Sequence, residues 1–170
     1  MRVSRFSRTV LTAALVSSAA ATATIAAATQ PAHADWPRTT MQIASLDPDH
    51  AGRCLNMQSN NTLHTVSCAD GVARQQWQQV PVGNAGKLKN VQTGLCADTG
   101  TPVEKVVGNR CKDTQALWSY DSGSNRIVTK TGTGAEFCLG AASKVNDPVE
   151  VSSCNSTRTS SLKWEVRSVG

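Results

Sequence analysis

The stretch GRCLNMQSNNTLHTVSCADGVARQQW, from Gly52 to Trp77, contains the pattern that decides the fold. It holds two cysteines 14 residues apart and a tryptophan nine residues after the second cysteine. The same order recurs twice downstream, with equivalent cysteines spaced 42 or 43 residues apart. The three sets are Cys54, Cys68 and Trp77; Cys96, Cys111 and Trp118; and Cys138, Cys154 and Trp164. This common period indicates an internal repeat.

The first 34 residues have the organisation of a secretory signal. Arginines at positions 2, 5 and 8 precede an apolar stretch over 10–28, and Ala32-His33-Ala34 is an A-x-A cleavage site. A membrane anchor is the other interpretation, but the stretch is mostly Ala, Ser and Thr, too polar for a spanning helix. We therefore expect a secreted, extracellular protein with a short extension over 35–39 and one domain over 40–170.

The charge of the mature chain gives no reason to expect nucleic-acid binding. The signal's three arginines lower the formal net charge from +5 to +2 when it is removed, and the remaining basic residues are scattered. No second apolar segment follows the signal, so we expect no membrane association. We expect a monomer.

All six cysteines lie after the signal, and an even number in a secreted chain predicts disulfides. The simplest connectivity that respects the repeat is one bridge in each, and each would contribute about 3 kcal/mol by the loop-entropy model. Zinc ligation is the other use of such cysteines. The sequence has no C-x-x-C pair and only two histidines after the signal, His50 and His64, which disfavours a metal site.

The tryptophans recur once per repeat, which is typical of a core position rather than a surface ring. Each lies in a short segment that reads as a strand, and the segments around the first cysteines alternate apolar and polar residues between Gly-containing turns. The sequence therefore predicts an all-β domain with four strands per repeat. Twelve strands favour a closed, pseudo-threefold barrel, because closure removes sheet edges.

These motifs resemble the ricin-type β-trefoil lectin domain. Its pattern is G-x-C-L-x, a second cysteine about 15 residues later, and then Q-x-W; GRCLN with SC and QQW fits it well, GLCAD with RC and ALW less well, and EFCLG with SC and LKW least. The resemblance covers Thr40 to about Val169. It implies a β-trefoil with a shallow sugar site in each repeat.

In that family, a carboxylate two residues after the first cysteine accepts hydrogen bonds from sugar hydroxyls. An aromatic ring two residues before the second cysteine stacks on the sugar, and Asn-Gln before the tryptophan completes the site. The second repeat has Asp98, Asn109 and Gln115-Ala116 at these positions, and the first has Asn56, Val66 and Arg74-Gln75. The third, with Gly140, Ser152 and Ser161-Leu162, is expected to be inactive.

The resemblance thus implies carbohydrate binding through degenerate sites. The expected sugar-binding residues are Asp98, Asn109, Gln115, Asn56 and Gln75. No repeat has the stacking ring, and His64 in the first repeat or Tyr120 near the second are candidate substitutes. The alternative for Asp98 is a turn aspartate that bonds its own backbone.

The sequence has no catalytic motif, so we expect no enzymatic activity and no cofactor. DPDH, Asp47 to His50, has metal-ligand side chains but reads more simply as a capped turn at Pro48. Two functions remain. One is binding of a polysaccharide or glycoconjugate; the other is binding of a secreted protein, as in β-trefoil protease inhibitors, through the segment SGSNR over 122–126.

Overall fold

The computed structural model describes residues 36–100, 105–114, 116–130, 134–157 and 159–169 of the 170-residue chain. The predicted signal over 1–34, and Gln115, lie outside the described residues. The strands are β1 (Met41–Ser45), β2 (Arg53–Met57), β3 (Leu63–Ser67), β4 (Gln76–Val82), β5 (Ala85–Asn90), β6 (Cys96–Thr99), β7 (Val106–Asn109), β8 (Trp118–Asp121), β9 (Arg126–Lys130), β10 (Glu136–Gly140), β11 (Glu150–Ser153) and β12 (Trp164–Ser168).

Each repeat contributes four antiparallel strands, which confirms the predicted all-β trefoil. The second and third strands of each repeat form a hairpin: β2 with β3, β6 with β7, and β10 with β11. The three hairpins meet at one end of the barrel, where Val149 donates a backbone hydrogen bond to Leu63 and Val106 donates one to Val149. Two short 3-10 turns, Pro48–His50 and Ala73–Gln75, complete the regular structure.

The first and fourth strands of the repeats form the barrel wall. Ladders join β1 to β4, β4 to β5, β5 to β8, β8 to β9, and β12 back to β1. Between β9 and β12 the described residues form no ladder; a single backbone bond joins this edge, with Trp164 N donating to Asn125 O at 2.7 Å. The equivalent contacts elsewhere are the ladder pairs Met41–Trp77 and Gly86–Trp118. The barrel is thus less completely closed than the sequence predicts.

The three repeat tryptophans are the largest side chains of the core, each at most 1% exposed. Each indole N–H donates to the carbonyl oxygen of the residue after the first cysteine of its own repeat. These bonds join Trp77 to Leu55 at 3.1 Å, Trp118 to Ala97 at 2.9 Å and Trp164 to Leu139 at 2.8 Å. Because the indole N–H is satisfied, the whole ring can be buried without a desolvation penalty. Gln76 and Gln78, which strand alternation places on the opposite face of β4 from Trp77, are partly buried and exposed respectively.

One disulfide closes each repeat, as predicted: Cys54–Cys68, Cys96–Cys111 and Cys138–Cys154. The structure contains no free cysteine. Each bridge ties the strand that carries the first cysteine to the end of its hairpin, close to the expected sugar site.

Candidate functional site

The family's acceptor position falls at the same place in the second strand of each repeat. It is Asn56 in β2, Asp98 in β6 and Gly140 in β10. Asn56 is buried, Asp98 is partly exposed and Gly140 is buried. The three repeats therefore place three chemically different groups on one scaffold.

Asp98 is held by two hydrogen bonds from its own repeat. Its Oδ1 accepts from the backbone N–H of Ala116 at 3.0 Å, and its Oδ2 accepts from Nδ2 of Asn109 at 3.1 Å. Asp98 lies in strand β6, and these two described bonds go to the backbone of Ala116 and the side chain of Asn109 rather than to its own backbone. A carboxylate offers about four acceptor sites. These two bonds orient Asp98 and leave acceptor capacity on its exposed side.

Asn109 brings an amide to the same place. It is exposed, lies opposite Cys96 in the β6–β7 ladder and turns its amide toward Asp98. The structure thus joins two of the predicted sugar-binding residues, and a polar amide occupies the position of the stacking ring. Gln115, the third predicted residue of this repeat, precedes Ala116 in the chain and is not described.

In the first repeat, a cavity of about 340 Å³ opens beside the predicted site. His64 pairs with the acceptor-position Asn56 across the β2–β3 ladder, so the two side chains share a face. His64 Nδ1 lies 2.7 Å from the carbonyl oxygen of Asn146, in the third repeat, and its Nε2 lies 2.9 Å from Oγ1 of Thr62. The cavity is lined by Gln58, Ser59, Asn60, His64, Val66 and Asn146.

Gln75, the other residue predicted to bind sugar in the first repeat, is buried and hydrogen-bonded to protein groups. It is 3% exposed, and its Oε1 accepts from Nε2 of Gln42 at 3.1 Å and from the N–H of Ala69 at 2.9 Å. Its Nε2 donates to the carbonyl oxygen of Ser67 at 2.9 Å. Through these hydrogen bonds, Gln75 links the residues on either side of Cys68 to Gln42 in β1. The Q-x-W motif identifies this residue, but only the structure shows that its amide is occupied by protein groups.

The second repeat fastens the equivalent loop with a salt bridge that the sequence did not reveal. Lys87 follows the ladder partner of Trp118, just as Gln42 follows the ladder partner of Trp77. Its buried ammonium lies 3.1 Å from Oδ1 of the exposed Asp113, two residues after Cys111. An ion pair here takes the place of the Gln42–Gln75 amide pair.

At the acceptor position of the third repeat, a side chain would press against Leu162. A Cβ atom added at Gly140 would lie 3.0 Å from Cδ2 of Leu162, tighter than an ordinary van der Waals contact. Leu162 is itself 1% exposed. Apolar packing therefore fills the space that the acceptor occupies in the other repeats.

Tyr120 does not substitute for the missing ring of the second repeat. Its hydroxyl donates to Oδ1 of Asn125 at 3.1 Å, and its ring centroid lies 5.7 Å from that of Trp36. Burial raises the pKa of its phenol, although a backbone hydrogen bond from Val166 opposes that shift. Trp36 is only 5% exposed, so part of the predicted N-terminal extension packs into the core.

The segment proposed for protein binding is a tight hairpin turn between β8 and β9. Asp121 pairs with Arg126 at its base, and Oδ1 of Asp121 accepts from the N–H of Gly123 at 2.9 Å. Asn125 has a left-handed backbone, with φ of 59°, and its carbonyl accepts from Trp164 N. The turn is thus fastened to the barrel, whereas an inhibitory loop presents an extended backbone to a protease cleft. This geometry does not favour the inhibitor alternative.

Two further observations concern ligands and membranes. Within the described ranges, no three His, Cys, Asp or Glu side chains are grouped so as to hold a metal ion. The same ranges contain no helix that is long and apolar enough to cross a membrane.

Residues 84–170, just over half of the chain, match the family model described as the ricin-type β-trefoil lectin domain. This match includes the second and third repeats. No curated protein sequence matches the chain.

Solved structures share the fold over about three quarters of the chain. A GlcNAcα1-4Gal-releasing endo-β-galactosidase from Clostridium perfringens has a TM-score of 0.63 and 14% identity, covering 78% of this chain and 33% of its own. The designed threefold-symmetric protein ThreeFoil has a TM-score of 0.60 and 17% identity, with coverage of 76% and 99%. A non-toxic homologue of type II RIPs from Momordica charantia, in complex with α-methyl-D-galactoside, has a TM-score of 0.59 and 20% identity, with coverage of 75% and 47%. A mosquitocidal holotoxin has a TM-score of 0.60 and 15% identity over 76% of this chain, which spans only 16% of the toxin.

Proposed function

We propose that this chain, which belongs to the ricin-type β-trefoil lectin domain family, is a secreted carbohydrate-binding module whose main sugar site is built around Asp98 in the second repeat. The observation that carries the proposal is the Asp98 carboxylate. It is partly exposed, stands at the family's acceptor position, and is oriented by Ala116 and Asn109. An ionised acceptor forms stronger hydrogen bonds with hydroxyl groups than a neutral amide does.

The second repeat is favoured over the others for physical reasons. Asn56 is neutral and only 6% exposed, and Gly140 has no side chain and lies under Leu162. The first-repeat cavity beside His64 is a secondary, weaker site for the same class of ligand. Both sites lack a stacking aromatic ring, so the affinity for a single sugar is expected to be low.

The ligand class is a polysaccharide or glycoconjugate. The Momordica charantia homologue was solved with α-methyl-D-galactoside, which makes galactosides a reasonable first probe. Because that homologue is only 20% identical, the choice of sugar for this chain rests on experiment.

The test is calorimetry of the mature protein with methyl α-D-galactoside and with a panel of soluble polysaccharides. Asp98→Asn preserves the shape of the side chain and should weaken binding, whereas Asp70→Asn, which changes an exposed carboxylate away from the acceptor positions, should not. Equal binding by the Asp98 variant and the wild type would reject the assignment of the site. Inhibition of secreted proteases without binding to any glycan would favour the protein-binding alternative.

A further inference from the structure

A second cavity lies where the first repeat meets the third; none of the three acceptor positions lines it, but Ser161 of the third-repeat site does. Its volume is about 250 Å³. One wall is the β1–β2 connection of the first repeat, and the other comes from the segments that follow β10 and precede β12. The lining residues are Asp47, Asp49, His50, Ala142, Ser143, Ser160 and Ser161.

His50 is the most deeply buried polar side chain that the structure shows in the lining of this cavity. It is 2% exposed, and among the described residues neither ring nitrogen has a hydrogen-bond partner. Its Nδ1 lies 3.5 Å from Oδ2 of Asp47, which is longer than an N–H···O hydrogen bond. A buried polar ring without partners costs stability, and such groups in native proteins often mark a functional place.

The backbone of this segment is firmly held, so the side chains are preorganised. Asp47 caps the 3-10 turn Pro48–His50: its Oδ1 accepts from the N–H of Asp49 at 3.2 Å, and its carbonyl accepts from His50 N at 2.9 Å. This agrees with the capped turn that the sequence predicts at Pro48. The cap uses only one of the two carboxylate oxygens of Asp47, and Oδ2 faces the histidine ring.

The charged groups in the lining indicate which class of ligand the cavity suits. Two carboxylates line the cavity, and no lysine or arginine does so among the described residues. Ser143 and Ser160 add exposed hydroxyl groups, which both donate and accept hydrogen bonds. The only apolar side chain of the lining is that of Ala142. Such a surface suits a small hydrophilic molecule that carries a positive charge and hydroxyl groups.

We propose that this inter-repeat cavity binds a single amino sugar, with the protonated amine at Asp47 and Asp49 and the ring hydroxyls at Ser143 and Ser160. The cavity has the volume of about eight liquid water molecules, which is enough for one sugar ring. A metal ion fits less well, because these side chains are not grouped as metal ligands. The inference is independent of the Asp98 site, which lies in another repeat and uses different residues.

The test is an NMR titration of the mature protein with D-glucosamine, D-glucose and D-glucuronate, at a pH where the amine is protonated. The three share a pyranose ring and differ in charge. The ring signals of His50 should shift most with D-glucosamine, less with D-glucose and least with D-glucuronate. Zinc chloride is titrated in parallel.

Matched variants connect the shifts to the cavity. Asp49→Asn removes an exposed carboxylate and should weaken D-glucosamine binding about tenfold without affecting the fold. Asp47→Asn should weaken it as well, and circular dichroism checks that this variant, which alters a cap, is folded. Asp98→Asn should leave the D-glucosamine shifts of His50 unchanged, which separates this site from the proposed main site.

Four results would overturn the proposal. The first is an unchanged His50 signal with all three sugars, which would mean that the cavity holds only water. The second is an equal or larger response to D-glucuronate, and the third is a response to zinc without one to D-glucosamine. An unaltered affinity in Asp49→Asn would also reject it, even if Asp47→Asn fails to fold.

Discussion

The first and second repeats have the same strand arrangement, but different side-chain interactions hold the loop around the second cysteine of each repeat. In the first, the buried amide of Gln75 ties the loop around Cys68 to Gln42; in the second, Lys87 reaches Asp113 while Ala116 stands in place of the glutamine. The backbone N–H of Ala116 donates a hydrogen bond to the Asp98 carboxylate. The comparison teaches that the tryptophan contacts of the core repeat faithfully, whereas the polar contacts around the second cysteine differ between repeats, and in the second repeat they orient the Asp98 carboxylate.

The largest expected effect concerns what the two repeats have in common. Trp77→Ala and Trp118→Ala should each lower the free energy of unfolding by about 3–5 kcal/mol, because each removes a buried ring and its bond to a backbone carbonyl. Urea denaturation with the disulfides intact measures both. The matched variants Trp77→Phe and Trp118→Phe should cost less. A neutral effect at either position would break the equivalence of the two repeats.

The next prediction separates the Gln42–Gln75 hydrogen bond of the first repeat from the Lys87–Asp113 salt bridge of the second. Gln75→Ala should destabilise the protein by about 2–3 kcal/mol, because it removes the hydrogen bonds that the buried Gln75 amide makes with Gln42, the N–H of Ala69 and the carbonyl of Ser67. Asp113→Ala should cost less, since Asp113 is fully exposed and water can partly replace it beside Lys87. Thermal or urea unfolding distinguishes the two. Equal losses would mean that the ion pair carries as much as the amide network.

The comparison also predicts how binding divides between the repeats. Asp98→Ala should lower glycan affinity at least about tenfold, because a charged acceptor is lost, and Asn56→Ala should lower it less. Calorimetry with the best glycan of the panel gives both values, and circular dichroism checks the fold of each variant. A larger loss for Asn56→Ala would move the main site to the first repeat and its cavity.

The smallest effect is a pH dependence confined to the turn that ends the second repeat. The hydroxyl of Ser124 donates to Asp121 and holds the pKa of that carboxyl below its ordinary value of 3.8. The folded pKa is lower than the unfolded one, so this stabilisation is present above about pH 4 and is lost as the pH falls through the folded pKa.

Asp121→Asn should therefore reduce stability slightly at neutral pH and lose that difference in acid. The equivalent turn of the first repeat, at Gly83 and Asn84, has no carboxylate and serves as the control, because Asn84→Ala should show no such pH dependence. Urea unfolding at several pH values measures both. A difference that grows toward low pH would reverse the sign and refute the assignment.

Much of the fold was predictable because repeated, local patterns encode it. The 42-residue period, the strand alternation and the recurring cysteines and tryptophans predict three four-strand units, and the structure has them. The candidate site was only partly predictable. Asp98 and Asn109 were identified through the resemblance to the lectin family, whose motif fixes their positions relative to Cys96 and Cys111, but the hydrogen bonding of Gln75 depends on a partner 33 residues away in the chain.

What the sequence by itself determined is the architecture: the repeat, the bridge in each repeat and the core position of the tryptophans. The tertiary structure alone decided which polar groups remain available to a ligand. Gln75 and Tyr120 have the right chemistry for binding but are occupied by protein partners, while Asp98 keeps an exposed side and the His50 ring has no hydrogen-bond partner among the described residues. The physical reason is that a hydrogen bond depends on distance and orientation between groups that the chain brings together only on folding.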